Sequence, residues 1–148
     1  MSRVARSARV ASRQRTELIT EDKTLETAET GELYFVSGSD HITVTLPAVQ
    51  EGAYFKFIYG GGSGGGPMIK NLIISCDGTG ALLLGNVIQL GAAASADAAV
   101  TIQSSNGSSN DKITVTGPAN GGDHIEVNCD GTNWHATGII SGSVAFGN

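Results

Sequence analysis

From Leu18 onward the chain reads as short apolar runs with period two, broken by turn residues. In "HITVTL" (His41–Leu46), Ile42, Val44 and Leu46 alternate with His41, Thr43 and Thr45, and in "KITVT" (Lys112–Thr116) Ile113 and Val115 do the same. Successive side chains of a strand point to opposite faces, so each run predicts a strand with one face inward and one outward. Seven further runs predict strands: Glu32–Ser37, Ala53–Tyr59, Ile69–Cys76, Asn86–Leu90, Ala99–Ser104, His124–Cys129 and Thr132–Ile140. No stretch of the body carries the three-to-four spacing of an amphipathic helix, and "GAAASADAAV" (Gly91–Val100) reads as a small-residue loop. Short strands at roughly ten-residue spacing predict an all-β domain, a sandwich or jelly-roll-like fold.

One unit occurs twice. "SDHITVTLPAVQEGAYFKFIY" (Ser39–Tyr59) aligns with "NDKITVTGPANGGDHIEVNC" (Asn110–Cys129). Asp40 falls on Asp111, Pro47 on Pro118 and Ala48 on Ala119; after a one-residue gap Gly52 meets Gly122 and Phe55, Phe57 and Tyr59 meet Ile125, Val127 and Cys129. Proline cannot donate to a ladder, so it ends the first strand. The unit is a β-hairpin or a sheet-crossing corner, and two copies predict two similar motifs packed face to face. The cysteines, Cys76 and Cys129, both stand in the tetrapeptide Cys-Asp-Gly-Thr. Asp-Gly between strands signals a tight turn, because glycine accepts positive φ. A disulfide would need the two turns side by side, with Cα atoms within about 7 Å; the other reading is a pair of small buried hydrophobes.

Charge divides the chain. The first fifteen residues hold Arg3, Arg6, Arg9, Arg13 and Arg15 and no acid, while fourteen acids and four lysines follow, so this stretch is +5 and residues 16–148 are −10. Residues 1–17 are therefore an extended basic N-terminal arm on a domain of residues 18–148. An arm of this composition is disordered alone, and ordering it costs on the order of 1–2 kcal/mol per residue. Nucleic-acid binding is disfavoured, because the arm lacks interleaved aromatics and phosphates would repel the body. An Arg- and Ser-rich organellar presequence is a second reading; an arm docked on a protein partner is the favoured one. The N-terminus has no apolar core of a secretory signal, and no apolar run is long enough for a membrane-spanning helix.

Candidate chemistry is thin. "GGSGG" (Gly61–Gly65) has the letters of a nucleophile elbow, but Gly-Gly-Gly-Pro after Ser63 starts no helix, and no Gly-Lys-Ser/Thr follows for a phosphate loop. His41, His124 and His135 lack zinc-ligand spacing to each other or to the cysteines. Asp77, Asp123 and Asp130 read as turn aspartates, with a loop cation as the alternative. "NGS" (Asn106–Ser108) is a glycosylation sequon, and Glu26, Glu29 and Glu32 are spaced like a solvated face. We expect no catalytic residues, no metal and no cofactor.

"ITVTLP" (Ile42–Pro47), "EGAYFKF" (Glu51–Phe57) and "DHIEVNCDGTNW" (Asp123–Trp134), within residues 20–140, resemble a β-module of structural proteins of tailed bacteriophages. The module occurs in capsid decoration (cement) proteins and in fibre or appendage proteins. The resemblance implies a non-enzymatic virion component on the capsid surface, assembled in the host cytoplasm. It also implies a homo-oligomer, a trimer in the decoration reading, whose partner is the major capsid protein. The five arm arginines are the expected capsid-docking residues. The alternative is a tail-fibre or head-appendage subunit that binds glycan through Trp134 or Tyr59.

Overall fold

The computed structural model describes residues 14–38, 40–60, 71–76, 78–90, 99–117 and 119–148. It is all-β, a sandwich of two mixed sheets. The first six strands are β1 (Thr16–Ile19), β2 (Lys23–Thr24), β3 (Leu33–Val36), β4 (Ile42–Thr45), β5 (Tyr54–Tyr59) and β6 (Leu72–Ser75). They alternate between the sheets. β1, β3 and β5 stack parallel in one sheet, and β2, β4 and β6 stack parallel in the other. The chain thus winds through three coils, each giving one strand to each sheet. The remaining strands are β7 (Leu83–Gln89), β8 (Thr101–Ser104), β9 (Lys112–Thr116), β10 (His124–Cys129), β11 (Trp134–Ile140) and β12 (Ser143–Gly147). They complete a seven-stranded sheet, β1-β3-β5-β10-β11-β7-β8, and a five-stranded sheet, β12-β9-β6-β4-β2.

Alternation builds the core. Tyr34, Val36, Phe55, Phe57, Ile125, Val127 and Trp134 point inward from the larger sheet; Ile42, Val44, Leu72, Ile74, Ile113 and Val115 meet them from the smaller. Burying one such side chain is worth about 1.5–3 kcal/mol. Each of the nine expected strands is present within a few residues. β7 is longer than expected, because Leu83–Gly85 join it beside β11. β1, β2 and β12 were not anticipated, and β1 starts two residues inside the expected arm.

The internal repeat is a corner, not a hairpin. Each copy crosses from the smaller sheet to the larger, β4 to β5 and β9 to β10. The copies lie side by side rather than face to face: β5 pairs antiparallel with β10, while β4 and β9 flank β6. Their backbone bonds come in matched pairs. Tyr59 N–H donates to Asp123 O and Cys129 N–H to Ala53 O, both at 2.8 Å; Gly122 N–H donates to Tyr59 O at 2.9 Å and Gly52 N–H to Cys129 O at 3.0 Å. A local two-fold therefore passes between β5 and β10.

The same corner occurs a third time in the fold, outside the two-copy sequence repeat. Thr24-Leu25 precedes Gly31 by the same interval that separates Thr45-Leu46 from Gly52. In all three corners a turn closes onto the residue after the glycine: Glu32 N–H to Glu29 O, Ala53 N–H to Gln50 O and Asp123 N–H to Asn120 O, at 3.1–3.2 Å. The glycines have φ of 86°, 81° and 95°, and Thr30 before the first has φ −52° and ψ 138°. That is type II turn geometry, which needs positive φ at its third residue. Leu25 N–H donates to Thr45 O and Leu46 N–H to Ser75 O, so equivalent corner residues stack from coil to coil.

Candidate functional site

The arm meets the body at the edge of the larger sheet. Leu33 N–H donates to Arg15 O at 2.9 Å, extending the parallel β1–β3 ladder by one residue. Gln14 Nε2 donates to Gly31 O at 3.3 Å. The Arg15 guanidinium donates to Ala28 O at 3.3 Å and sits 3.2 Å from Glu32 Oε1. Arg15, an expected docking residue, is therefore engaged within its own chain. Arg3, Arg6, Arg9 and Arg13 lie outside the described residues, as do Ser63 with the rest of Gly61–Gly65, residues 91–98, and Asp77 and Pro118.

An ion-pair network surrounds this root. Carboxylate oxygens of Glu17, Glu29 and Glu32 lie within 4.8 Å of one another. Lys23 Nζ lies 2.7 Å from Glu17 and 2.9 Å from Glu29, and 5.4 Å from the centre of the buried Tyr34 ring. Glu29 and Glu32 are thus not a solvated face. The 3-10 turn Thr27–Glu29 and strand β3 fold them back against β1, and Glu29 Oε2 accepts Glu26 N–H at 2.6 Å. Burial alone would lower the Lys23 pKa, but its hydrogen bonds to Glu17 and Glu29 outweigh that and raise it. Glu29 is lowered: burial pushes it up, and the Glu26 N–H together with Lys23 pulls it down further. Burial and the nearby carboxylates raise Tyr34. Two cations already answer the three carboxylates, whereas a hard cation wants six or more oxygens. The cluster is an anchor for the chain entering the sheet.

The other candidates serve local structure. Asp123 accepts Asn120 N–H at 3.0 Å and Ser141 N–H at 2.9 Å, with Ser141 Oγ donating at 2.6 Å. Asn106 Oδ1 accepts the N–H groups of Ser108 and Ser109 at 3.0 Å. His41 Nδ1 accepts Asn71 N–H, His124 Nδ1 is 3.3 Å from Gly122 O, and His135 Nε2 is 2.8 Å from Asp130. Among the described residues no histidine or cysteine belongs to a group that could hold a metal. Cys76 and Cys129 are both buried and are not bridged to each other. Cys76 Sγ lies 3.2 Å from Asp111 O, and Cys129 Sγ accepts Gly131 N–H at 3.4 Å. Trp134 and Tyr59 are wholly inside the core, so neither can be the stacking platform of a glycan site.

The second Cys-Asp-Gly-Thr makes the β10–β11 connection. Asp130 Oδ1 accepts both Thr132 and Asn133 N–H at 2.7 Å, and Gly131 has φ 93°. Hydrogen bonds from Asn133 N–H, then His135 and Thr132, pull the Asp130 carboxyl down to about 2. A depressed carboxyl stabilises the fold above its unfolded value, about 3.9, and that contribution fades as pH falls through the folded value. Carbon-detected NMR of Asp130 should give a midpoint near 2; a midpoint near the unfolded value would mean that the turn bonds are not made in solution.

No protein-family description, curated protein or solved structure matches the chain.

Proposed function

We propose that the chain is a non-enzymatic virion structural protein: a capsid decoration, or cement, protein. In this reading it binds the outer shell of a tailed bacteriophage and bridges neighbouring major capsid subunits. The observation that carries it is the charge split, +5 on residues 1–15 and −10 on residues 16–148, with the arm rooted at one fixed point of the sheet edge through Gln14 and Arg15. A rigid body with a basic strap suits a protein that clips onto an acidic surface. Arg3, Arg6, Arg9 and Arg13 are the docking residues, and Arg15 holds the strap to the body. No cofactor or metal enters this mechanism. Each exposed arginine–carboxylate contact is worth only about 0.2–1 kcal/mol, but contacts made at once on one shell add through effective concentration.

Deleting residues 1–13 while keeping Arg15 should leave the melting temperature unchanged and lower shell occupancy by about tenfold or more. Occupancy equal to that of the full chain would remove the arm from the mechanism. One observation favours the alternative, a tail-fibre or head-appendage subunit. The parallel coils β1–β6 form a stack that can be lengthened by repetition, as elongated structures are. Copy number per particle separates the two: a set at every lattice point of the shell means decoration, and a single ring means an appendage.

A further inference from the structure

An antiparallel or mixed sheet with one solvated face is expected to be polar on that face. The outer face of the larger sheet departs from this along one row. From the β1 edge, the register aligns Leu18 with Phe35, Phe35 with Ile58, and Ile58 with His124. Beyond His124 it aligns Ile139, then Ile88, then Ile102 at the β8 edge. Six of the seven strands thus place an apolar side chain at the same height, with three on either side of His124. Leu18 and Ile102 at the two ends are 60% and 66% exposed, and Phe35, Ile139 and Ile88 each more than a third. The next row is polar in its middle: Lys56 pairs with Glu126, and Glu126 with Thr137.

We propose that this face is the contact surface of a two-fold dimer of this chain. An isologous interface needs a patch that complements itself under a half-turn. An axis parallel to the strands and lying between β5 and β10 meets that requirement. It sets Lys56 over the partner's Glu126, and Glu126 over the partner's Lys56. The same rotation lays Phe35 on the partner's Ile139 and Leu18 on the partner's Ile88. Charge meets opposite charge in one row; in the other, apolar meets apolar on either side of the centre, where Ile58 lies against the partner's His124, and Ile102 on β8 extends past the overlap. The six strands that overlap, about 4.8 Å apart and roughly five residues long, present on the order of 500 Å² before side-chain relief, somewhat below the roughly 800 Å² per partner of a standard interface. A lipid surface fits less well, because residues 16–148 carry −10 and would be repelled by anionic headgroups. A three-fold ring, as the resemblance implies, needs two different patches rather than one that complements itself.

The dimer does not rest on the decoration reading. Protein that dimerises in solution but never occupies a shell would sink that reading and leave this one standing.

Sedimentation velocity of the full chain from about 1 to 100 µM should show a concentration-dependent dimer. Ile139→Asp should abolish it. Leu18→Asp, at a position too exposed to govern folding, should weaken it at least tenfold while the circular dichroism stays unchanged. Lys56→Glu alone should weaken the dimer by about tenfold, and Lys56→Glu combined with Glu126→Lys should restore it. A monomer throughout the range, a trimer mass, or a dimer indifferent to both aspartate substitutions would overturn the proposal.

Discussion

Replacing Trp134 with alanine is expected to cost about 3–5 kcal/mol, the largest loss from any single side chain here. The residue is wholly buried and packs in a tilted arrangement against Phe55, with ring centroids 5.8 Å apart and 37° between the planes. It is flanked in the sheet by Cys129 on β10 and Leu83 on β7. Because β10, β11 and β7 are held by ladders on both sides, the cavity cannot collapse by moving a loop. A domain of this size holds about 5–15 kcal/mol in all, so the variant should melt roughly 10–15 °C lower. Trp134→Phe should cost much less than its lost volume suggests. The indole Nε1 is buried without a hydrogen-bond partner, and leaving such a group unpaired costs about 1–3 kcal/mol, which phenylalanine avoids. Thermal melts of the two variants decide this; equal losses would mean that the indole N–H is satisfied in solution.

Gly85→Ala is expected to be nearly as damaging, by a different mechanism. Gly85 lies inside β7 opposite Ala136, with φ 136°. A β-carbon there would run into the Ala136 backbone carbonyl, which belongs to a central strand and cannot give way. Backbone strain of about 1–3 kcal/mol adds to an overpacking cost of similar size. Gly52→Ala separates the two contributions. Its φ of 81° is equally foreign to alanine, but nothing lies within 4 Å of the new atom, so only the conformational cost, about 1–2 kcal/mol, should appear. Chemical denaturation of both variants measures the difference. Equal costs would show that β7 can shift away from β11.

The strands were largely legible because a strand announces itself locally. Ile42, Val44 and Leu46 need only their own alternation to mark β4, and all three are buried. The failures share a cause. β7 was cut short because Gly85 looks like a loop residue until Ala136, far along the chain, is placed against it. β2 is two residues long and exists only because β4 runs beside it. Glu29 and Glu32 looked solvated because Arg15 and Lys23, which neutralise them, approach from other elements. The third corner was missed because its core letters differ, while its turn glycine and the interval before it are kept.

The sequence by itself determined the all-β class, the inward faces of most strands, the place of the repeated strand–turn–strand unit and the separation of a basic arm from an acidic body. Each of these rests on neighbours a few residues apart. Tertiary structure decided which strands pair, that the first half winds as parallel coils, and that Arg15 belongs to the body's own ion-pair network. It also decided the outer row. Leu18, Phe35, Ile139, Ile88 and Ile102 sit on five different strands, and singly each is an ordinary exposed apolar residue. Only the register, set by hydrogen bonds between distant segments, brings them to one height, so the apolar row on either side of His124 is a property of the pairing and of no single stretch of chain.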